Sequence, residues 1–186
     1  EWLPRMATGE WLGAFGLTEA SSGSDAGSLR TTAKLEGDHY VLNGAKTFIT
    51  NGSFAKVCIV FASTDLSKGN RGVTAFIVDT ATPGFVVGKK EEKMGIRASD
   101  TRALFFENMK VPAANILGPI GKGLRVALTV LDFGRTTFGA TCTGAAKTCI
   151  QATTKHAKSR VQFQQTLSEF ELVKKKIGFM AAHAFA

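Results

Sequence analysis

Phe15-Gly16-Leu17-Thr18-Glu19-Ala20-Ser21-Ser22-Gly23-Ser24, followed by Asp25, sets a short apolar strand against a loop of hydroxyls and glycines. A strand end delivers rigid backbone amides, and small residues let a bulky polar ligand approach them closely. Successive amides and hydroxyls of this kind suit a phosphate or the polar edge of a ring. The segment gains specificity from a second one, Asn43-Gly44-Ala45-Lys46-Thr47-Phe48-Ile49-Thr50-Asn51-Gly52.

Working outward, residues from about Ser28 to Pro112 read as strands and turns. Asp38 to Leu42 is strand-like, and Asn43-Gly44 predicts a tight turn after it. Phe48 to Thr50 resumes the strand before a second turn at Asn51-Gly52. Val57 to Ala62 and Val73 to Val78 are short apolar runs suited to buried strands, and Ala103 to Phe106 precedes the Val111-Pro112 stop. Short strands at this spacing predict a β-barrel or sandwich.

After Gly118-Pro119-Ile120-Gly121-Lys122-Gly123 the pattern changes. Leu124, Leu128, Leu131, Phe138, Cys142, Ala145, Cys149 and Ala152 recur at three- and four-residue steps, one stripe of a long helix. Gly134, Gly139 and Gly144 each weaken that helix by roughly 1 kcal/mol relative to alanine, which points to close packing against a neighbouring helix or a ligand. The stripe breaks around Arg160 to Gln165. Thr166-Leu167-Ser168-Glu169 offers a capping box, and Leu167, Phe170, Val173, Ile177 and Met180 mark a second amphipathic helix. Two helices cannot close a core alone, so a larger bundle is expected. Glu1-Trp2-Leu3-Pro4-Arg5 reads as the middle of a chain, and the far end stops in a helical pattern without a cap, so a piece of a longer protein is expected.

The composition is ordinary: 186 residues, 44% hydrophobic and 20% charged. No apolar run is long enough for a membrane span. The net charge of +8, from 23 basic and 15 acidic residues, favours anionic partners. Lys89-Lys90 and Lys174-Lys175-Lys176 read as solvated clusters, and no aromatic–basic interleaving suggests nucleic acid. Cys58, Cys142 and Cys149 include no Cys-x-x-Cys pair, and His39, His156 and His183 lack metal-ligand spacing, so no metal site is expected. The odd cysteine count without a secretory signal fits a reducing compartment, with Cys142 and Cys149 as buried thiols on one helix face.

Four motifs in order now carry a resemblance. Leu17-Thr18-Glu19-x-x-x-Gly23-Ser24-Asp25, Asn43-Gly44-x-Lys46-x-Phe48-Ile49-Thr50-Asn51-Gly52, Lys93-Met94-Gly95-Ile96-Arg97-Ala98-Ser99 and Val111-Pro112-x-x-Asn115-Ile116-Leu117-Gly118 resemble the acyl-CoA dehydrogenase family. Asp132-Phe133-Gly134-Arg135 and Ser21-Ser22-Gly23 are similar to very-long-chain types, and to bacterial broad-specificity members. The resemblance implies an α+β chain: a middle antiparallel β-barrel or sandwich domain, then the first two long helices of a helical bundle. It divides the chain at 1–14 (the end of a preceding helical domain or linker), 15–118 and 119–186. The implied reaction is FAD-dependent α,β-dehydrogenation of fatty acyl-CoA thioesters, with medium to long straight chains expected. Electrons would pass to an electron-transfer flavoprotein.

By the same resemblance, Phe15, Leu17, Thr18, Ser24, Phe48, Ile49 and Thr50 would contact FAD. Leu17 and Thr18 would supply an amide and a hydroxyl, which stabilise charge as the ring is reduced. Phe48 stands where many members carry tryptophan and keeps a flat face without an indole N–H. Ser24 would also face the acyl-CoA, with Asp132 and Arg135 beside the substrate channel and Arg135 expected to be a buried cation. Arg160, Gln162 and Phe170 would grip FAD across a subunit interface, implying a homodimer or homotetramer. A guanidinium suits a pyrophosphate, while a helix-end cation is an equally good account of Arg160. Glu19 is read as structural. Gly134 stands where one branch of the family keeps its catalytic glutamate, so no catalytic base is expected before residue 186. The implied compartment is intracellular: bacterial cytoplasm or mitochondrial matrix. Two alternatives remain on the same scaffold, an oxygen-using acyl-CoA oxidase and a non-catalytic assembly or scaffolding protein.

Overall fold

A computed structural model of the protein describes residues 2–186, which divide into two compact units on either side of the Thr129–Val130 boundary. In the first unit a short helix α1 (Trp2–Ala7) precedes seven strands: β1 (Gly13–Gly16), β2 (Thr32–Glu36), β3 (His39–Thr50), β4 (Val57–Ser63), β5 (Val73–Asp79), β6 (Phe85–Lys90) and β7 (Thr101–Pro112). They form one sheet in the order β1-β4-β2-β3-β7-β6, with β5 added on β4. The β2–β3, β3–β7, β6–β7 and β4–β5 pairs are antiparallel. The expected β domain followed by helices is present, and its mainly antiparallel sheet also includes parallel pairing of β1 and β2 with β4.

The apolar runs of β4 and β5 are buried on both faces. Cys58, Val60, Ala62, Phe76 and Val78 enter one core cluster with Tyr40, Leu42, Leu104, Met109 and Val111. Phe61, Val73 and Ala75 enter a second with Leu17, Leu29 and Ala127. A strand covered on both sides has no polar face to keep, so it reads as an unbroken apolar run.

Asn43-Gly44 is not a turn. Strand β3 runs through it from His39 to Thr50. The register slips between Leu42 and Gly44 and again between Lys46 and Ile49, so the turn signal marks a bulge. Gly44 has φ +147°, and a Cβ there would lie 2.7 Å from Thr31 Cα. The Asn43 side chain is taken up across the sheet: its Oδ1 accepts the Asn108 N–H at 2.8 Å and its Nδ2 donates to Asn108 Oδ1 at 3.1 Å. The turn at Asn51-Gly52 does form. Asp100 clamps it by accepting from Ser53 N at 3.0 Å and Ser53 Oγ at 2.8 Å, while Arg102 Nε donates to its other oxygen at 2.8 Å.

Helix α2 (Gly123–Ser159) leads into a two-residue ladder of β8 (Val161–Gln162) with β9 (Gln165–Thr166), followed by α3 (Glu171–Phe185). Phe163 and Gln164 take φ +52° and +66°, the two left-handed residues a tight hairpin needs. The expected capping box is not made. Thr166 Oγ1 and Ser168 Oγ bond to each other at 2.7 Å, a 3₁₀ turn covers Leu167–Glu169, and Phe170 precedes α3 without a side-chain cap.

Two expectations for this helical unit are corrected. Cys142 and Cys149 are exposed, not buried. Among the described residues Gly134, Gly139 and Gly144 pack against nothing: a Cβ at any of them meets nothing within 4 Å. Phe133, Phe138, Leu172 and Phe179 are also exposed, so the apolar stripes exist without covering surfaces among the described residues.

Candidate functional site

The strand β1 ends at Gly16, and the next two carbonyls are both held from β3. Lys46 Nζ donates to Leu17 O at 3.0 Å, and Thr47 N–H donates to Thr18 O at 2.9 Å. The segments Phe15–Asp25 and Asn43–Gly52, far apart in sequence, therefore meet side by side. At Gly16 the backbone lies within contact range of both neighbours: a Cβ there would sit at ordinary contact distance, 3.6 Å from Lys46 Cγ and 3.4 Å from Cys58 Sγ. Burial of the Cys58 thiol pushes it up to about 12, so it stays a protonated core group at neutral pH.

Beyond Thr18 the chain turns back at once. Glu19 and Ser22 exchange backbone bonds at 2.9 and 3.1 Å. The Glu19 carboxylate is then enclosed, accepting from Arg30 N at 2.6 Å, Thr31 N at 3.0 Å and Lys46 Nζ at 2.7 Å. The Lys46 side chain is 0% exposed and that of Glu19 7%. Burial alone would raise the Glu19 carboxyl, but the bonds from Lys46, Thr31 and Arg30 outweigh it and hold the carboxyl below its ordinary value. Burial lowers the Lys46 ammonium, and the Glu19 carboxylate opposes that pull. With its oxygens committed in this way, Glu19 ties the loop down and is unsuited to proton abstraction.

The loop leaves Ser21, Gly23 and Ser24 exposed, while Ser22 Oγ donates to Asp25 O at 2.7 Å. Thr18 is half-buried. Phe48 sits at the second β3 bulge with φ +58°, an uncommon conformation for a bulky residue, and is 65% exposed. The bulge turns its ring out of the core, and Thr50 is exposed two residues on. Two predicted contact residues serve differently. The Ile49 side chain is buried in the core, leaving only its backbone for a ligand. Phe15 packs on Phe61 with ring centroids 5.0 Å apart, beside the second core cluster.

In the helical unit, Arg135 is not the buried cation expected. It lies on the α2 surface, 69% exposed, paired with Asp132 at 3.2 Å over one helical turn. Arg160 and Gln162 are exposed where α2 gives way to the hairpin. The Arg160 carbonyl accepts Leu167 N–H at 2.9 Å, and Gln162 Nε2 donates to Val161 O at 2.7 Å. Phe170 packs edge-on to Phe163 at 6.3 Å.

The Lys46–Glu19 contact joins two motif residues that lie 27 positions apart in the sequence. A lysine inside an otherwise amphipathic strand, with an early glutamate lacking a helical partner, was the available signal. The outward Phe48 ring agrees with its expected place against the cofactor, but the bulge that turns it out has no local signal, because bulges leave no periodic trace.

Comparison with known proteins matches residues 14–109 to the middle domain of acyl-CoA dehydrogenase and 121–186 to its C-terminal domain. The short-chain-specific acyl-CoA dehydrogenase of Clostridium acetobutylicum is 46% identical over 92% of this chain and 45% of its own length. Butyryl-CoA dehydrogenase from Megasphaera elsdenii superposes with a TM-score of 0.92 at 46% identity, over 99% of this chain and 48% of that one. An acyl-CoA dehydrogenase complexed with FAD, from Bacillus anthracis, superposes with a TM-score of 0.89 at 44% identity, over 99% of this chain and 31% of that one. The chain spans about half the length of the curated relatives it matches. These short-chain names overturn the likeness to very-long-chain types read from Asp132–Arg135 and Ser21–Gly23. With both of its halves matched and its β sheet followed by helices as in these structures, the chain belongs to the acyl-CoA dehydrogenase family.

Proposed function

We propose that this chain forms the cofactor-binding core of an FAD-dependent acyl-CoA dehydrogenase acting on a short acyl thioester. One observation carries the reading: the Leu17–Thr18 strand end and the Phe48 bulge lie side by side, joined by the Thr47–Thr18 bond at 2.9 Å. The residues present fit the flavin in chemistry. The sheet offers a strand end, exposed Ser24 and Thr50 hydroxyls and an outward aromatic face at Phe48, and the helical unit by itself offers an exposed guanidinium at Arg160. The cofactor, when bound, supplies the hydride-accepting chemistry, and the protein supplies placement and electrostatics.

In this reading Leu17 and Thr18 hold the polar edge of the ring, Phe48 and the Ile49-Thr50 backbone lie along it, and Ser24 serves both cofactor and thioester. Arg160, Gln162 and Phe170 hold the cofactor phosphates of a second subunit across an oligomer interface, Asp132 and Arg135 border the substrate, and an electron-transfer flavoprotein takes the electrons. The buried carboxylates Glu19 and Asp100 are fully engaged elsewhere, so neither is the base that removes the α-proton.

The test is the full-length protein. It should purify yellow with one FAD per chain, and anaerobic butyryl-CoA should bleach the flavin. A folded, colourless protein that refuses added FAD would leave the scaffolding alternative standing. Peroxide produced stoichiometrically in air would move the reading to an oxidase.

A further inference from the structure

We propose that Lys46 is a positioning residue that sets the donor strength of the Leu17–Thr18 peptide, and through it the reduction potential of the flavin. The inference rests on the cofactor reading above. Lys46 is wholly buried, and its ammonium donates to Leu17 O at 3.0 Å and to Glu19 Oε1 at 2.7 Å. The carbonyl of Leu17 and the N–H of Thr18 belong to one planar trans peptide, so they point in opposite directions. Holding the carbonyl from inside fixes the N–H on the other side. That N–H has no backbone acceptor among the described residues. The next peptide is fixed by the neighbouring residue of the same strand, since Thr47 N–H holds Thr18 O. Consecutive β3 residues thus clamp consecutive carbonyls.

A cation on a carbonyl does more than hold it. Hydrogen bonds in series polarise one another, and in a low-dielectric interior the effect is larger than in water. Glu19 divides its charge among Lys46, Arg30 N and Thr31 N, so the ammonium retains positive character towards Leu17 O. Burying such a pair carries a desolvation cost for each ion that apolar residues filling the same space would not incur. If the pair served only to tie down the loop, neutral replacements would leave the flavin unchanged.

The experiment uses full-length holoenzyme and replaces both charges, so that neither is stranded. Glu19→Gln/Lys46→Met removes the cation and its bond to Leu17 O. Glu19→Gln/Lys46→Gln removes the charge and keeps a neutral N–H donor one bond shorter, covering a failure of the first variant to fold. Dye-coupled redox titration should show a tenfold weaker two-electron reduction of the Met variant, about 30 mV more negative, with a smaller shift in the same direction for the Gln variant. Wild-type potentials in both FAD-loaded variants would overturn the inference. A wild-type protein that holds no FAD would instead sink the cofactor reading on which it stands.

Discussion

The two units differ in where their apolar side chains end up. In the sheet, Phe61 and Phe76 are 0% exposed and carry the two cores. In the helices, Phe133 is 72% and Phe138 68% exposed, although they recur at helical spacing. The sheet buries the apolar runs of its central strands β4 and β5 within one unit. The helices display a pattern whose covering surface is not among the described residues. An amphipathic stripe therefore reports that a helix packs, and says nothing about whether the partner belongs to the same stretch of chain.

The comparison can be broken most directly at Lys46. Lys46→Met alone strands the Glu19 carboxylate in the β unit, and should cost about 3–5 kcal/mol in urea unfolding. Glu19→Gln/Lys46→Met should recover most of that loss. A single variant as stable as wild type would show that the pair is not buried as described. A matched pair of truncations probes the contrast itself. Phe76→Ala should cost about 3–5 kcal/mol, the price of a core cavity. Phe133→Ala should stay within about 0.5 kcal/mol in this chain. A large loss for Phe133→Ala in the full-length protein, absent here, would show that its face becomes covered there.

Acid should also strike the sheet. The carboxyls of Glu19 and Asp100 lie below their ordinary values, because hydrogen bonds from Lys46, and from Ser53 and Arg102, outweigh the opposing effect of burial. A depressed carboxyl stabilises the fold fully above its unfolded value, near pH 4, and loses that contribution as pH falls through the depressed value. Denaturant midpoints should therefore be level above about pH 5 and fall below pH 4, with a shallower fall in Glu19→Gln. A profile for Glu19→Gln identical to wild type would remove Glu19 from the account.

Legibility in the sequence followed the range of the interactions. Strands β4 and β5 were readable because double-sided burial writes an unbroken apolar run. The stripe of α2 was readable because its period is local. Strand β3 was misread at Asn43-Gly44, where the close approach of Thr31 and the bonds to Asn108 override a local turn preference. The motifs of the site could be found, yet the Lys46–Glu19 contact spans 27 positions and the Phe48 bulge depends on pairing with β7. Neither leaves a mark in local composition. The exposure of Arg135 was missed for the opposite reason: apolar neighbours along a helix suggested a burial that the described residues do not provide.

The smallest effect sharpens the comparison from the other side. Gly44 and Gly139 are both glycines inside regular elements, but for different reasons. At Gly44 the backbone takes φ +147° and a side chain would press on Thr31, so alanine there should be destabilising. At Gly139 the backbone is helical and a Cβ meets nothing within 4 Å. Alanine there loses less chain entropy on folding and should stabilise α2 by roughly 0.5–1 kcal/mol. Circular dichroism melts of Gly139→Ala in this chain and in the full-length protein separate two causes of the glycine. A gain in both would mean that the position tolerates a side chain throughout. A gain here that becomes a loss in the full-length protein would place a neighbouring surface against that face of α2, and would make the glycine a packing residue after all.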